Sequence, residues 1–376
     1  MNKQQCCAIC NTTISIENDS KEHVILRSIG GYLKVRGFIC KSCNNDAGRT
    51  WDAELASQLL PLSHLFGVSR QGGGPLPDLP IITTSGEKLI MKPDGGFSPN
   101  KPSFSEEITA DGVQIKIMAR DIKEAKSILK GVQRKHQNTN TDQLLANAEF
   151  SSSYPTGMVH HQLDFGGEVS GRSIVKSVLA LAHQAGIAAN HCNDAIQYLR
   201  DPAASACFGY YQATDLIANR PLETPLHCVG INANPVTGLV LGYAEYFGIY
   251  RVVVCLGKGY SGDVVESSYS IDPRTGKELY LSVNLDFNES EIDAIYRYEM
   301  IPDGAIEAVF HAVIPAALKK KIDAERERVI ADSVEYAFKN CGAKYGEILT
   351  EDQVKKLSSL MMGKLIPYIM HNLKSN

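Results

Sequence analysis

The sequence predicts an α+β protein with a small cysteine-rich module at the N-terminus, a larger mixed α+β domain and a helical C-terminal region. Two Cys-x2-Cys pairs lie within the first 43 residues. Apolar runs of strand length, separated by turn sequences, occupy residues 81–120 and 226–256. From Pro315 onward, apolar residues recur at helical spacing. Together these three features predict the fold class.

The composition is that of an ordinary globular protein, with 44% hydrophobic and 21% charged residues. A formal net charge of −4 and a pI near 6.2 exclude a polycation that coats nucleic acid non-specifically, so any contact with DNA must be local. The N-terminus lacks a signal-peptide pattern, and no apolar run approaches the roughly 18 residues of a membrane span. We therefore expect a cytoplasmic protein that does not associate with membranes.

The spacing of Cys7-x2-Cys10 and Cys40-x2-Cys43 suits a tetrahedral zinc site. In a reducing compartment, clustered thiols are expected to bind metal rather than to form disulfides. Cys6 is an alternative ligand, although only Cys7 leaves two residues before Cys10. A site closed by four sulfurs has no open position for substrate, so the sequence predicts a structural zinc and places any chemistry elsewhere.

The residues between and after the two cysteine pairs predict the order strand, loop, strand, helix. Residues 22–26 and 32–39 have strand character, and Gly30-Gly31 forms the turn or loop between them. Asn44 is a suitable N-cap for a helix that is expected to end at Pro61.

This order of motifs resembles the HNH endonuclease family, which has a ββα-metal fold. The resemblance covers residues 7–60 and consists of Cys-x2-Cys, the acid-histidine pair Glu22-His23 followed by Val-Ile, Gly-Gly, and Cys-x2-Cys-Asn-Asn before a helix. It implies that the module hydrolyses phosphodiester bonds with the help of a divalent cation. Such a cation acts on the scissile phosphate, while a base activates the attacking water.

The resemblance also implies roles for individual residues. His23 would be the general base. Glu22 and Asn44 would bind a catalytic magnesium or manganese ion, for which carboxylate and amide oxygens are suitable ligands, and Asn45 is an alternative to Asn44. Asp52, further along, is expected to be a helix N-terminal charge favoured by the helix dipole.

The sequence departs from the family pattern at three positions, one of which is Asn44, where the third motif position otherwise has a histidine. Leu26 stands where the family commonly has a proline three residues after the histidine. The asparagine that usually orients the histidine is absent between Gly31 and Cys40.

Basic residues around the motif are candidates for contacts with phosphate groups. These nucleic-acid-binding candidates are Arg27, Lys34, Arg36, Lys41 and Arg49. An ordinary solvated surface would carry similar residues, so the pattern alone does not separate the two interpretations.

The predicted domains are a module at 1–62, a linker at 63–80 that contains Gly72-Gly73-Gly74-Pro75, and an α+β recognition, sensor or oligomerisation domain at 81–376. The predicted function is a metal-dependent DNA endonuclease, with a regulated effector of bacterial defence against phage as one form of it. A non-catalytic, zinc-stabilised module that binds nucleic acid or protein is the alternative. The expected partners are DNA and an activating ligand or protein, and a homo-oligomer is an option; the choice between DNA and RNA stays open.

Overall fold

The structure is a computed structural model that describes residues 5–109, 112–137, 140–146, 148 and 153–374. Both helices and strands are present, and the predicted mixed α+β class is confirmed. The α-helices are α1 Lys41–Arg49, α2 Trp51–Phe66, α3 Ile122–Lys135, α4 Thr141–Ala146, α5 Glu168–Gln184, α6 Asn193–Arg200, α7 Glu289–Tyr296, α8 Ala305–Asn340 and α9 Glu351–Lys374. The strands are β1 Glu22–His23, β2 Lys34–Val35, β3 Leu79–Thr83, β4 Lys88–Met91, β5 Phe97–Pro99, β6 Ser103–Thr109, β7 Gly112–Met118, β8 Val159–His160, β9 Phe208–Tyr210, β10 Ile217–Ala218, β11 His227–Asn234, β12 Leu239–Tyr246, β13 Tyr250–Lys258, β14 Val265–Asp272, β15 Lys277–Glu278 and β16 Ser282–Val283.

The chain divides into two compact units, each built from two separate segments. One unit combines residues 1–77 with 163–319, and the other combines residues 78–162 with 320–376. The predicted division into 1–62, 63–80 and 81–376 differs from this one. The physical reason is that apolar side chains of the N-terminal segment pack in one core with residues after 163. As a description of sequence modules, the predicted division stays a prediction.

The first unit is built around a six-stranded antiparallel sheet in the order β15-β14-β11-β12-β13-β9. Helix α5 contacts four strands of this sheet, and it also contacts α2, β1 and β2. Leu59, Val178 and Val240 from these different elements are buried in the same hydrophobic core. The cysteine-rich segment therefore folds against α5 and does not stand apart from it.

The second unit contains a four-stranded antiparallel sheet in the order β5-β4-β3-β8 and the hairpin β6–β7. Asp121 caps α3, because its side chain accepts a hydrogen bond of 2.8 Å from the backbone N–H of Glu124. The predicted helical C-terminal region is confirmed by α8 and α9. Among the described residues, none of the helices combines the length and the apolar composition that crossing a membrane requires.

The strands of the N-terminal segment are shorter than predicted. β1 pairs with β2 in antiparallel register, with Glu22 opposite Val35 and His23 opposite Lys34. The chain then leaves the ladder, because residues after Leu26 form a 3-10 turn and Gly31 donates a backbone hydrogen bond to Leu26. The predicted order of strand, loop, strand and helix is nevertheless present.

The helix after Cys43 also differs in its limits. Cys40 rather than Asn44 is the N-cap, and the chain bends at Thr50 between α1 and α2. Pro61 does not end the helix but lies inside α2. The missing N–H of Pro61 leaves the carbonyl of Ser57 without its helical partner. Ser57 is exposed, so water can satisfy that carbonyl.

Gly31 provides a test of this local fold. A Cβ at residue 31 would overlap the backbone carbonyl of Ile25, whereas a Cβ at Gly48 in α1 would meet no atom within 4 Å. We expect Gly31→Ala to lower the free energy of unfolding by about 3 kcal/mol, as forced overpacking does. The matched variant Gly48→Ala should be neutral or stabilising by up to about 1 kcal/mol. Denaturant unfolding followed by the fluorescence of Trp51, the single tryptophan of the chain, measures both. Equal stability of the two variants would contradict the close contact between Gly31 and the backbone carbonyl of Ile25.

Candidate functional site

Four cysteines converge as the spacing predicts. The sulfur atoms of Cys7, Cys10, Cys40 and Cys43 all lie within 4.8 Å of one another. The Cys10 and Cys40 sulfurs are 3.7 Å apart, close to the edge of about 3.8 Å that a tetrahedron of 2.3 Å zinc–sulfur bonds requires. The ten cysteines, all within the described part of the chain, form no disulfide. These four residues, called the cysteine group below, therefore fit a closed tetrahedral metal site.

The local fold explains which cysteines take part. Cys40 is the N-cap of α1 and Cys43 lies in its first turn, while the backbone N–H of Cys40 donates to the Cys7 sulfur over 3.3 Å. Thr12 Oγ1 lies 3.2 Å from the Cys10 sulfur and lowers the pKa of that thiol to about 6, which favours the thiolate that binds metal. Cys6, the alternative ligand, is exposed and lies outside the group.

His23, the predicted base, is half-buried on β1. Burial lowers the pKa of its imidazole, and the charges of Lys34 and Arg27 lower it further, so the ring is neutral near pH 7. Its Nε2 lies 3.4 Å from Oε1 of Gln71, whose backbone carbonyl accepts a 2.9 Å hydrogen bond from Arg27 Nε. An imidazole that donates through Nε2 keeps the lone pair on Nδ1 to accept a proton.

Gln71 was not among the predicted site residues. It lies in the glycine-rich stretch that composition assigns to a linker, and glutamine in such a stretch carries no signal of a role. It contacts the histidine whose orienting asparagine is absent from the segment between Gly31 and Cys40.

Glu22, the predicted metal ligand, is buried and bonded to a lysine. Lys176 on α5 donates from Nζ to Glu22 Oε1 and, over 2.8 Å, to Asp52 Oδ2. Ser173 Oγ donates to the other oxygen of Asp52 over 2.6 Å. The side chain of Lys176 is 0% exposed and that of Glu22 is 4% exposed. Glu22, Asp52, Ser173 and Lys176 are called the ion cluster below; Asp52 is its half-buried member, with a side chain that is 16% exposed.

The charges of the ion cluster depend on one another. Burial acts to lower the pKa of Lys176, but the neighbouring charges of Asp52 and Glu22 raise it overall, so the ammonium stays protonated. Burial raises the pKa of Glu22, and the Lys176 ammonium opposes that rise. The cluster thus keeps an ammonium in a region without solvent, between two carboxyl groups.

Lys176 was also not predicted, although the sequence contains a signal. Every residue of α5 from Ser170 to Ala182 is buried, and the apolar residues Ile174, Val175 and Val178 surround the lysine. A lysine inside a fully buried helix requires acidic partners. The sequence does not show which acids they are, since Glu22 lies 154 residues away.

The residues predicted to bind the divalent ion lie on β1, for Glu22, and on α1, for Asn44 and Asn45. Among the described residues, the cysteine group is the one place where ligand atoms of three or more His, Cys, Asp or Glu side chains come together. Asn44 is half-buried and Asn45 is exposed, both on α1. Glu22 and His23 are successive strand residues, so their side chains leave opposite faces of β1. The Glu22 carboxylate accepts a hydrogen bond from Lys176, and its role as a ligand of the divalent ion stays a prediction.

The basic residues predicted to contact phosphates are all on the surface. The exposed set is Arg27, Lys34, Arg36, Lys41 and Arg49. Lys34 is the strand partner of His23 and is thus close to the candidate base. Arg36 forms an ion pair of 3.0 Å with Asp19, which is weak enough at the surface for a phosphate to compete with it.

Comparison with known proteins agrees with this geometry for the N-terminal part of the chain. The family model described as HNH endonuclease matches residues 7–60, the segment that contains the cysteine group, His23 and the β1–β2–α1 order. No curated protein and no solved structure matches the chain. The match supports a nuclease-like or nucleic-acid-binding role for this segment. Residues 7–60 are therefore an HNH endonuclease-family domain at the N-terminus of the chain.

Proposed function

We propose that the HNH domain hydrolyses phosphodiester bonds in DNA, with His23 as the general base. The observation that supports this most strongly is the family match over residues 7–60, together with a neutral, half-buried histidine at the position of the family base. In this proposal His23 takes the proton of the attacking water, and Gln71 holds the imidazole in one orientation.

The resemblance assigns a magnesium or manganese ion to the reaction, and such an ion neutralises charge on the scissile phosphate when it is bound. Asn44 and Asn45 offer amide oxygens from α1 and remain the candidate ligands. We leave Glu22 out of this ligand set, because its carboxylate accepts a hydrogen bond from Lys176. His23 is therefore the residue on which the proposed chemistry depends.

We also propose that the cysteine group binds zinc and that this zinc is structural. Four thiolates leave no coordination position for substrate, and the group connects the start of the domain to the N-terminus of α1. The exposed basic side chains are proposed to hold the DNA backbone, a contact that positions the duplex without reading its sequence.

A second candidate function is binding of nucleic acid without cleavage. The observation that favours it is the buried Lys176–Glu22 contact, which occupies the acid next to the histidine. This candidate and the nuclease share the basic surface but differ in product formation. A role as a regulated defence effector, with the remainder of the chain as sensor, stays a prediction.

The proposed base gives a direct prediction. His23→Ala should abolish nicking of plasmid DNA in magnesium or manganese, since no other group would accept the proton, with a loss of at least about 100-fold. Zinc content and the unfolding curve followed by Trp51 should stay as in the wild type. His160→Ala, at an exposed histidine on β8, is the matched control and should retain full activity.

Cleavage retained by His23→Ala would remove the assignment of the base. A wild-type protein that binds DNA but yields no nicked product with either metal ion would favour the binding module over the nuclease.

The proposed zinc site gives a second prediction. Cys40→Ser should lower the zinc content from one per chain towards zero and destabilise the domain, because it removes one of the four ligands. Elemental analysis and Trp51 fluorescence in denaturant measure the two effects. The control Cys6→Ser should keep its zinc, since Cys6 lies outside the group. A Cys40→Ser protein that is metal-free and as stable as the wild type would contradict a structural role for the metal.

A further inference from the structure

We infer that the Lys176 ammonium is the resident cation of Glu22 and Asp52, and that Glu22 fastens β1 to α5 and is not a ligand of the catalytic divalent ion. The inference rests on the proposed function only in that it reassigns one residue of the proposed site. The ion cluster itself is a property of the fold.

The first argument is access. A metal ligand in a nuclease must reach an ion that also contacts the scissile phosphate. The Glu22 side chain is 4% exposed, and its partner Lys176 is fully buried within a helix that is buried on all sides from Ser170 to Ala182. A phosphate group on a DNA backbone therefore has no surface at Glu22 to approach.

The second argument is charge. Two carboxylates and one ammonium leave one net negative charge on the cluster, which the Ser173 hydroxyl helps to satisfy. A divalent ion added to the same oxygens would reverse that balance and leave a net positive charge in a buried region. Buried charges without matching partners are strongly disfavoured. A divalent ion could therefore bind these oxygens only by displacing the ammonium, which the chain already holds between the two carboxylates.

The third argument is direction. Glu22 points to α5 and α2, whereas His23 contacts Gln71 and pairs across the ladder with Lys34. The ion cluster and the candidate base thus lie on opposite faces of β1. Fixing Glu22 holds the strand that carries His23, which gives the acid a positioning role.

The test is manganese binding to the full-length, zinc-loaded protein, followed by the electron paramagnetic resonance signal of free Mn²⁺. We expect Glu22→Gln to bind Mn²⁺ as the wild type does, because the amide still accepts from Lys176 and no ligand is lost. Asp52→Asn is the matched variant at the other carboxylate and should behave in the same way. Removal of a true ligand would weaken Mn²⁺ binding by about tenfold or more.

A second comparison removes the Lys176 ammonium from the ion cluster. Lys176→Met should gain one bound Mn²⁺ per chain, held by the two freed carboxylates, and the double variant Glu22→Gln/Lys176→Met should lose it. If Lys176→Met does not fold by the Trp51 criterion, Lys176→Gln keeps a hydrogen-bond donor without the charge and serves in its place.

Two results would overturn the inference: a loss of Mn²⁺ affinity of about tenfold in Glu22→Gln, or a folded lysine variant that gains no Mn²⁺ site. Neither readout depends on cleavage. If the protein had no nuclease activity, the proposed function would be wrong, and the Mn²⁺-binding results would still test the inference about Glu22 and Lys176.

Discussion

One buried ammonium between two carboxylates holds the N-terminal HNH domain to the rest of its compact unit. Lys176 reaches Glu22 on β1 and Asp52 at the start of α2, so a single side chain of α5 connects two secondary-structure elements of the domain. Removing one partner from such a buried set usually costs about 3–5 kcal/mol, because the remaining charge loses its counterion where water cannot replace it. The pairing therefore exists only where α5 is packed against β1 and α2.

The domain is thus held at two places of different chemistry. The cysteine group fixes the chain near Cys7 to the N-terminus of α1, and the ion cluster fixes β1 to α5. His23 lies on the face of β1 that does not meet the ion cluster. This arrangement leaves the candidate base half-buried next to exposed Lys34 and Arg27, where a phosphate could be brought to it.

Motifs of neighbouring residues predicted the parts of this domain that are formed within residues 7–60. The two cysteine pairs predicted the cysteine group, and the acid-histidine motif predicted the family match. The motif departures have physical explanations. Leu26 is a buried core residue, and the contact to His23 comes from Gln71, beyond the matched segment. Neither the leucine in place of proline nor the missing asparagine can be explained from the sequence of residues 7–60 alone.

What could not be predicted depends on contacts between distant parts of the chain. Periodicity shows that α5 is buried, but the pairing of Lys176 with Glu22 requires knowledge of which elements meet. The position of Pro61 inside α2 also depends on the tertiary structure. The carbonyl of Ser57, which lacks a helical partner, is on an exposed residue where water can bind it. The division into compact units likewise follows from a shared core and not from the glycine-rich composition near residues 72–75.

The most direct test of the Glu22–Lys176 contact is a double-mutant cycle between these two residues. The free energy of unfolding of the wild type, Glu22→Gln, Lys176→Gln and the double variant would be followed by Trp51 fluorescence, because Trp51 begins α2 within the domain. The account predicts a coupling of at least about 2 kcal/mol, as expected for a buried ion pair. A coupling within about 0.5 kcal/mol of zero would contradict the claim that this contact joins the HNH domain to α5.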